Sequence, residues 1–276
     1  MASPNRAGRM LGGLAAVLLL VLGGTVAFVV ARSSHDATPP VSLPPPPPPL
    51  LPEAPKLVLP DPAPPASGPV LGYDVSHPQC SRKLPTTGGF GIVGINRGRP
   101  LSSNPCFARQ SAWAAAKPGR AVYINTGYPG TGDPVAYGRH LVDDAIAREH
   151  AAGVGGTTVW WLDVETVNTW EGTTQENATV LDSMAAHLQE LGVRVGIYST
   201  PTMWLEIAGT WEPGLPVWYA TGPGTQTSAG QACDKSFAGS PAAMVQWVQS
   251  ASGGLLDHNL ICPAYANRAG DLLDLR

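Results

Sequence analysis

Short apolar runs rich in Val, Ile, Tyr and Trp recur along the C-terminal part of the chain, and most end in a polar or glycine-containing turn. They are VLGYDVS (70–76), FGIVGINRG (90–98), AVYINTG (121–127), TVWWLDVET (158–166), VRVGIYST (193–200), PVWYATG (216–222), AMVQWVQS (243–250) and LLDHNLI (255–261). Several are apolar at successive rather than alternate positions, as strands buried on both faces are. The first five alternate with segments of helical period. Asn104–Ala116 sets Phe107, Ala108, Trp113 and Ala114 among polar residues. Ala136–Ala152 gathers Leu141, Val142, Ala145 and Ile146 on one side, with Arg139, Asp143, Arg148 and Glu149 largely on the other. Asn177–Leu191 repeats Val180, Leu181, Met184, Leu188 and Leu191 at three- and four-residue steps, then stops at Gly192. Each reads as an amphipathic helix covering a parallel sheet. After Pro216 the runs crowd together. The pattern predicts an α/β fold, a TIM-like parallel (β/α) barrel with helices reduced in its C-terminal third.

The N-terminal part obeys a different rule. Met10–Ala31 carries no charge, and at 1.5 Å per residue its roughly 22 residues span about 33 Å, enough for a hydrocarbon core. Arg6 and Arg9 precede it, which predicts a cytoplasmic N-terminus with the rest of the chain outside. Residues 1–32 are therefore expected to be a single transmembrane anchor, with a cleaved secretory signal as the alternative. The proline-dominated stretch 33–67 favours polyproline II, a semi-rigid spacer. Residues 68–276 are left for one barrel domain.

Charge narrows the partners. The net charge is −3 and no basic stripe interleaves with aromatics, so nucleic acid is not expected as a partner; a monomer is. Cys80, Cys106, Cys233 and Cys262 lack C-x-x-C and zinc-knuckle spacing. An even count outside the membrane reads as two disulfides. Three pairings are open, and nearness in sequence favours Cys80–Cys106 with Cys233–Cys262. No H-E-x-x-H, G-x-S-x-G or P-loop motif occurs, so metal catalysis, an α/β-hydrolase site and a P-loop site are not expected.

Candidate chemistry lies at strand ends, where parallel barrels hold their sites. Asp74 ends the first run, Asp163 and Glu165 end the fourth, and Asp257 enters the eighth. In a closed barrel the eighth strand borders the first, so Asp257 and Asp74 become neighbours. Residues two apart on a strand share a face, so Asp163 and Glu165 both aim inward. Two such close carboxylates cannot ionise independently, and one is kept protonated as a general acid. Tyr123 and Tyr198 at strand ends, with Trp170 and Trp247, are candidate walls for sugar rings. Trp160, Trp113 and Trp218 read as core.

These residues resemble glycoside hydrolase family 25. D-x-S is matched by Asp74–Val75–Ser76 and D-x-E by Asp163–Val164–Glu165. G-x-Y is matched by Gly196–Ile197–Tyr198, W-x-A by Trp218–Tyr219–Ala220, and the closing D-x-N by Asp257–His258–Asn259. The ordered set covers about residues 70–262. The resemblance implies hydrolysis of the β-1,4 bond between N-acetylmuramic acid and N-acetylglucosamine in peptidoglycan strands, without a cofactor; the expected N-terminal anchor would place it at the outer face of the membrane. Glu165 is then the general acid and Asp163 orients the 2-acetamido group, whose carbonyl attacks the anomeric carbon. Asp74 and Asp257 tune the acid and hold water or substrate. The chain departs from the family at Asn96–Arg97–Gly98–Arg99, at Tyr123–Ile124–Asn125, at Trp247–Val248–Gln249 and in its four cysteines. Asn96 is carried as a substrate-binding candidate. The alternative is a catalytically silent barrel that binds wall glycan or a wall-assembly partner.

Overall fold

A computed structural model describes residues 70–251 and 254–275. Its strands are β1 (Leu71–Val75), β2 (Phe90–Gly94), β3 (Gly119–Asn125), β4 (Val159–Asp163), β5 (Arg194–Ser199), β6 (Val217–Pro223), β7 (Ser236–Phe237), β8 (Ser240–Ala251), β9 (Gly254–Ile261) and β10 (Asp274–Leu275). Four longer helices, α1 (Phe107–Ala115), α2 (Pro134–Ala151), α3 (Thr174–Glu190) and α4 (Pro201–Ala208), follow β2, β3, β4 and β5. The short α5 (Gln226–Gly230) follows β6, and α6 (Ala269–Leu272) precedes β10. Strand order β3-β2-β1-β9-β8-β6-β5-β4, with a further β3–β4 pairing, closes an eight-stranded barrel.

The expected fold is corrected on two points. First, the barrel is mixed: β9 runs antiparallel to both β8 and β1. Only two residues separate β8 from β9, whereas a parallel crossover needs about a dozen or more, so a hairpin is the only connection available. Second, among the described residues no helix is long and apolar enough to cross a membrane. The anchor expected over 1–32 and the spacer expected over 33–67 lie outside the described residues.

Helix starts follow local chemistry. The Asp133 carboxylate accepts the Val135 N–H to begin α2, and Thr173 with Glu176 forms a capping box on α3. Thr200 caps α4, whose first residue is Pro201. This helix was not read from the sequence, because eight residues carry too few turns to show a period. Gly192 (φ +77°) ends the chain's turn out of α3.

Alternation along the strands sorts two cores. Val75, Val93, Val122, Ile124, Trp160 and Leu162 face outward onto Leu141, Val142, Leu181, Met184 and Leu188 of α2 and α3. Phe90, Ile92, Trp161, Trp218, Met244 and Ile261 fill the interior. Leu272 and Leu273 join that interior group, and β10 pairs with the first residues of β3, so the C-terminal segment stoppers the end of the barrel opposite the strand ends that carry the acids. The disulfides Cys80–Cys106 and Cys233–Cys262 are those favoured by nearness. The first clips the segment after β1 to the start of α1, and the second clips the segment after α5 to the end of β9.

Gly196 shows how tightly the interior is filled. A Cβ there would lie inside contact distance of the Trp161 ring, so this strand position seats an indole from β4. Gly196→Ala is expected to lower unfolding stability by about 1–3 kcal/mol through overpacking. Urea denaturation followed by tryptophan fluorescence checks this; an unchanged midpoint would show that Trp161 can re-seat freely.

Candidate active site

The strand ends converge on a cavity of about 200 Å³ lined by Asp74, Tyr123, Asp163, Glu165, Tyr198, Trp218, Gln246, Val248 and Asp257. Asp74 lies on β1, in register with Asp257 on β9. Asp163 is the last residue of β4, and Glu165 lies two beyond it. The structure thus brings together all four acids read from the sequence, with Tyr123 and Tyr198.

A chain of polar groups fixes the cavity wall. The indole Nε1 of Trp218 can only donate, and it donates to Asn259 Oδ1 at 2.8 Å. That turns the Asn259 amide nitrogen toward Asp74 Oδ2, at 2.7 Å. On the other side Tyr198 donates to Gln246 Oε1 at 2.9 Å, and Gln246 Nε2 donates to the two Asp74 oxygens at 3.2 and 3.0 Å. Asn125 donates to Asp163 Oδ2, while no amide, hydroxyl or cation donates to the buried Asp163 Oδ1. The carboxylates are therefore met by amides rather than cations. Among charged neighbours only Arg82 opposes the ionisation penalty of Asp257.

The electrostatics follow from this burial. Loss of solvent holds the Asp74 carboxyl well above its ordinary range, Asp257 adds repulsion, and the Asn259 and Gln246 donors pull it back. Burial also raises Asp163 well above its usual range, reinforced by the negative charge of Glu165 and by a hydrogen bond between the two carboxyls. Glu165 is raised by burial, and its hydrogen bond from Asp163 opposes this. The two carboxyls are coupled and titrate as a unit. Asp257 is raised from 3.8 to about 6, by burial first and then by Glu165.

Trp218 forms the aromatic floor. Tyr198, Trp161 and Tyr123 meet it edge-on, with ring centroids 4.6, 5.7 and 6.3 Å away. Read from the sequence as core, it is indeed 1% exposed, yet it also lines the cavity. Three other candidates are placed differently from expectation. Trp247 points to the outer face of the barrel, packed with Val245, Leu260 and Leu71 and stacked on His258, because it is one residue out of phase with the inward Gln246. Asn96 is 1% exposed and spans backbone groups, accepting the Asn125 N–H and donating to the Ser102 carbonyl. Trp170 sits behind the cavity, its Nε1 donating to the Glu165 carbonyl at 3.0 Å.

Gln246, Asn259 and Asn125 were not read as site residues. Gln246 interrupts the apolar run AMVQWVQS, and Asn259 is two beyond Asp257 and so on its face. Those were the available signals. Among the described residues no group of three or more His, Cys, Asp or Glu side chains is arranged to hold a metal ion.

A family model described as Lysozyme-like protein 1 matches residues 105–239. A curated protein of Dictyostelium discoideum, "Probable GH family 25 lysozyme 4", is 32% identical over 69 residues, 24% of this chain and 32% of its own. Over these stretches the chain is similar to lysozyme-like and family 25 glycoside hydrolase sequences. The aligned stretch spans about a third of that curated relative's length. Among solved structures, the catalytic domain of endolysin ply40 from bacteriophage P40 of Listeria monocytogenes superposes with a TM-score of 0.52. It is 17% identical, over 74% of this chain and 98% of that one. The spore cortex lytic enzyme SleM of Clostridium perfringens gives 0.50 at 17% identity, over 70% of this chain and 67% of that one. At these identities the likeness is one of fold.

Burial of Asp257 has a measurable sign. Between pH 3.8 and about 6 the folded protein holds a proton that the unfolded chain releases. Stability from this group therefore falls as pH rises through that window, by roughly 3 kcal/mol, and is level above it. Asp257→Asn is expected to remove most of that decline. Urea midpoints at about pH 4 and about pH 7 measure it, and an equally steep decline in the variant would assign the effect to the other acids.

Proposed function

We propose that this protein hydrolyses β-1,4 glycosidic bonds of bacterial peptidoglycan, as an N-acetylmuramidase, outside the cytoplasm. The observation that carries the proposal is the convergence of Asp163 and Glu165 on a cavity walled by Tyr123, Tyr198 and Trp218. A cavity of about 200 Å³ is smaller than the roughly 300–1,000 Å³ that encloses a whole drug-sized ligand. It suits one ring of a polymer whose remainder lies along the rim. Both cysteine pairs are oxidised, which supports an extracytoplasmic compartment.

The geometry favours a substrate-assisted route. Asp163 ends β4 and Glu165 lies two residues beyond it on the same wall of the cavity, so the two carboxyls do not flank a sugar ring from opposite sides as the acid and nucleophile of a two-carboxylate retaining enzyme do. In the proposed mechanism Glu165, raised by burial, holds the proton while the substrate acetamide N–H docks on Asp163. Glu165 then protonates the leaving glycosidic oxygen while the acetamide carbonyl oxygen attacks the anomeric carbon. The C–O bond to the leaving sugar breaks, and a cyclic oxazolinium forms. Water, deprotonated by Glu165, then reopens that ring at the anomeric carbon and regenerates the acetamide. Asp257, which titrates at about 6, supplies negative potential beside the developing positive charge, and Asp74 holds the Gln246 and Asn259 amides in place.

The test is muropeptide release by the full oxidised chain from purified peptidoglycan, read by mass spectrometry. New reducing-end muramic acid is expected, reduced by about 10²–10⁴-fold in Glu165→Gln. A folded protein that binds peptidoglycan but releases nothing, across pH and wall types, would move the assignment to a silent glycan-binding barrel.

A further inference from the structure

A second, larger concavity of about 480 Å³ lies at the same end of the barrel, between the loops that follow β2, β3 and β4. Its walls include Arg99, Pro100, Tyr128, Tyr137, Val167 and Asn168. Val167 is two residues past Glu165, so the groove begins within about 7 Å of chain from the catalytic pair. The acids of the first cavity do not line it.

The groove is built, not incidental. The loops after β3 and β4 are zipped by Tyr128 N–H to the Thr169 carbonyl at 2.8 Å and Glu171 N–H to the Tyr128 carbonyl at 3.0 Å. The loop after β2 is held from α2 by Arg148, which pairs with Asp144 and donates to the Leu101 carbonyl at 2.9 Å. Tyr128 and Tyr137 meet edge-on at 5.4 Å and give one apolar wall. Val167, 80% exposed, gives another. Asn168 is 8% exposed, and its amide nitrogen has no acceptor. Arg99 is exposed and forms no ion pair among the described residues. Asp133 and Glu176, the acids nearest Tyr128, are engaged in capping α2 and α3.

We infer that this groove receives the peptide stem carried by the glycan strand, on the side of the cut that passes the loop after β4. The inference rests on the reading of the first cavity as a peptidoglycan site. The argument is one of charge and continuity. A stem peptide carries carboxylates, amide carbonyls and aliphatic side chains. Four clustered acids disfavour carboxylates in the catalytic cavity, while next door a free guanidinium and apolar walls match the carboxylates and the aliphatic side chains. Sugar hydroxyls, being uncharged, would not need the cation. Gly98, Arg99 and Pro100 belong to the loop where this chain departs from the family pattern, so the groove accounts for a divergence that the acids do not.

The test uses full chain carrying Glu165→Gln, so that nothing is cleaved, and two probes. One is a soluble peptidoglycan tetrasaccharide bearing its stems; the other is the same tetrasaccharide after amidase removal of them. Titration calorimetry is expected to show the stem-bearing probe binding about 10-fold tighter. Adding Arg99→Ala or Val167→Ser, both at exposed positions, should bring the two affinities together. Equal affinities before those changes, or an advantage that survives both, would overturn the groove assignment. Stem-dependent binding that needs Arg99, with no binding of the bare glycan, would keep the groove and count against the first cavity as a glycan site. Binding of neither probe would overturn both.

Discussion

The burial of four carboxylates around one cavity is the constraint that the rest of this barrel serves. Asp74 and Asp163 are each 4% exposed, at a cost that grows with every charge the cluster carries. The protein does not meet that cost with cations, which would lock the acids ionised. It uses neutral amides, Gln246, Asn259 and Asn125, which hold the groups in place and leave their protons free to redistribute. Each amide is itself oriented by a neighbour or by the backbone. Trp218 fixes Asn259 and Tyr198 fixes Gln246, so five strands contribute to one hydrogen-bonded wall.

This arrangement explains why aromatic residues are so dense inside the barrel. Trp161, Trp218, Tyr123 and Tyr198 fill volume, and two of them present a single polar atom toward the acids. Aliphatic residues of the same bulk would leave Gln246 and Asn259 without partners for their carbonyl oxygens. Glycines at Gly94 and Gly196 make room for these rings, a Cβ on Gly94 lying 2.6 Å from the Tyr123 hydroxyl. The tripeptide G-x-Y on β5 thus couples a seat for one ring to the placement of another.

Most of the barrel was legible because strands buried on both faces leave continuous apolar runs, and all eight runs became barrel strands. The four acids were legible because ionisable residues ending such runs are costly. What escaped the sequence has specific causes. The direction of β9 depends on a two-residue connection, and apolar content says nothing about direction. Trp247 was assigned to the site by its neighbourhood, whereas alternation puts Gln246, not Trp247, on the inner face. Asn96 and Trp170 lie near the site in sequence but spend their polar groups on backbone. The polar partners of Asp74 come from β8 and β9, some 170 to 185 positions along the chain, and only pairing reveals them.

The antiparallel β9 gives the site an unequal tolerance to change. In the parallel part of the barrel, Glu165 follows its strand, and the loops beyond can lengthen without altering which side chains face inward. Asp257 and Asn259 instead lie within a hairpin strand, paired to β1 on one edge and β8 on the other. One residue inserted or lost between the hairpin tip and Asp257 would shift the register of that acid. A shift by one reverses inside and outside for the affected stretch, sending an acid to the apolar outer face and His258 or Leu256 inward. Length variation around this cavity should therefore accumulate on the β2-to-β6 side of the rim, with the hairpin side inherited almost as a fixed cassette.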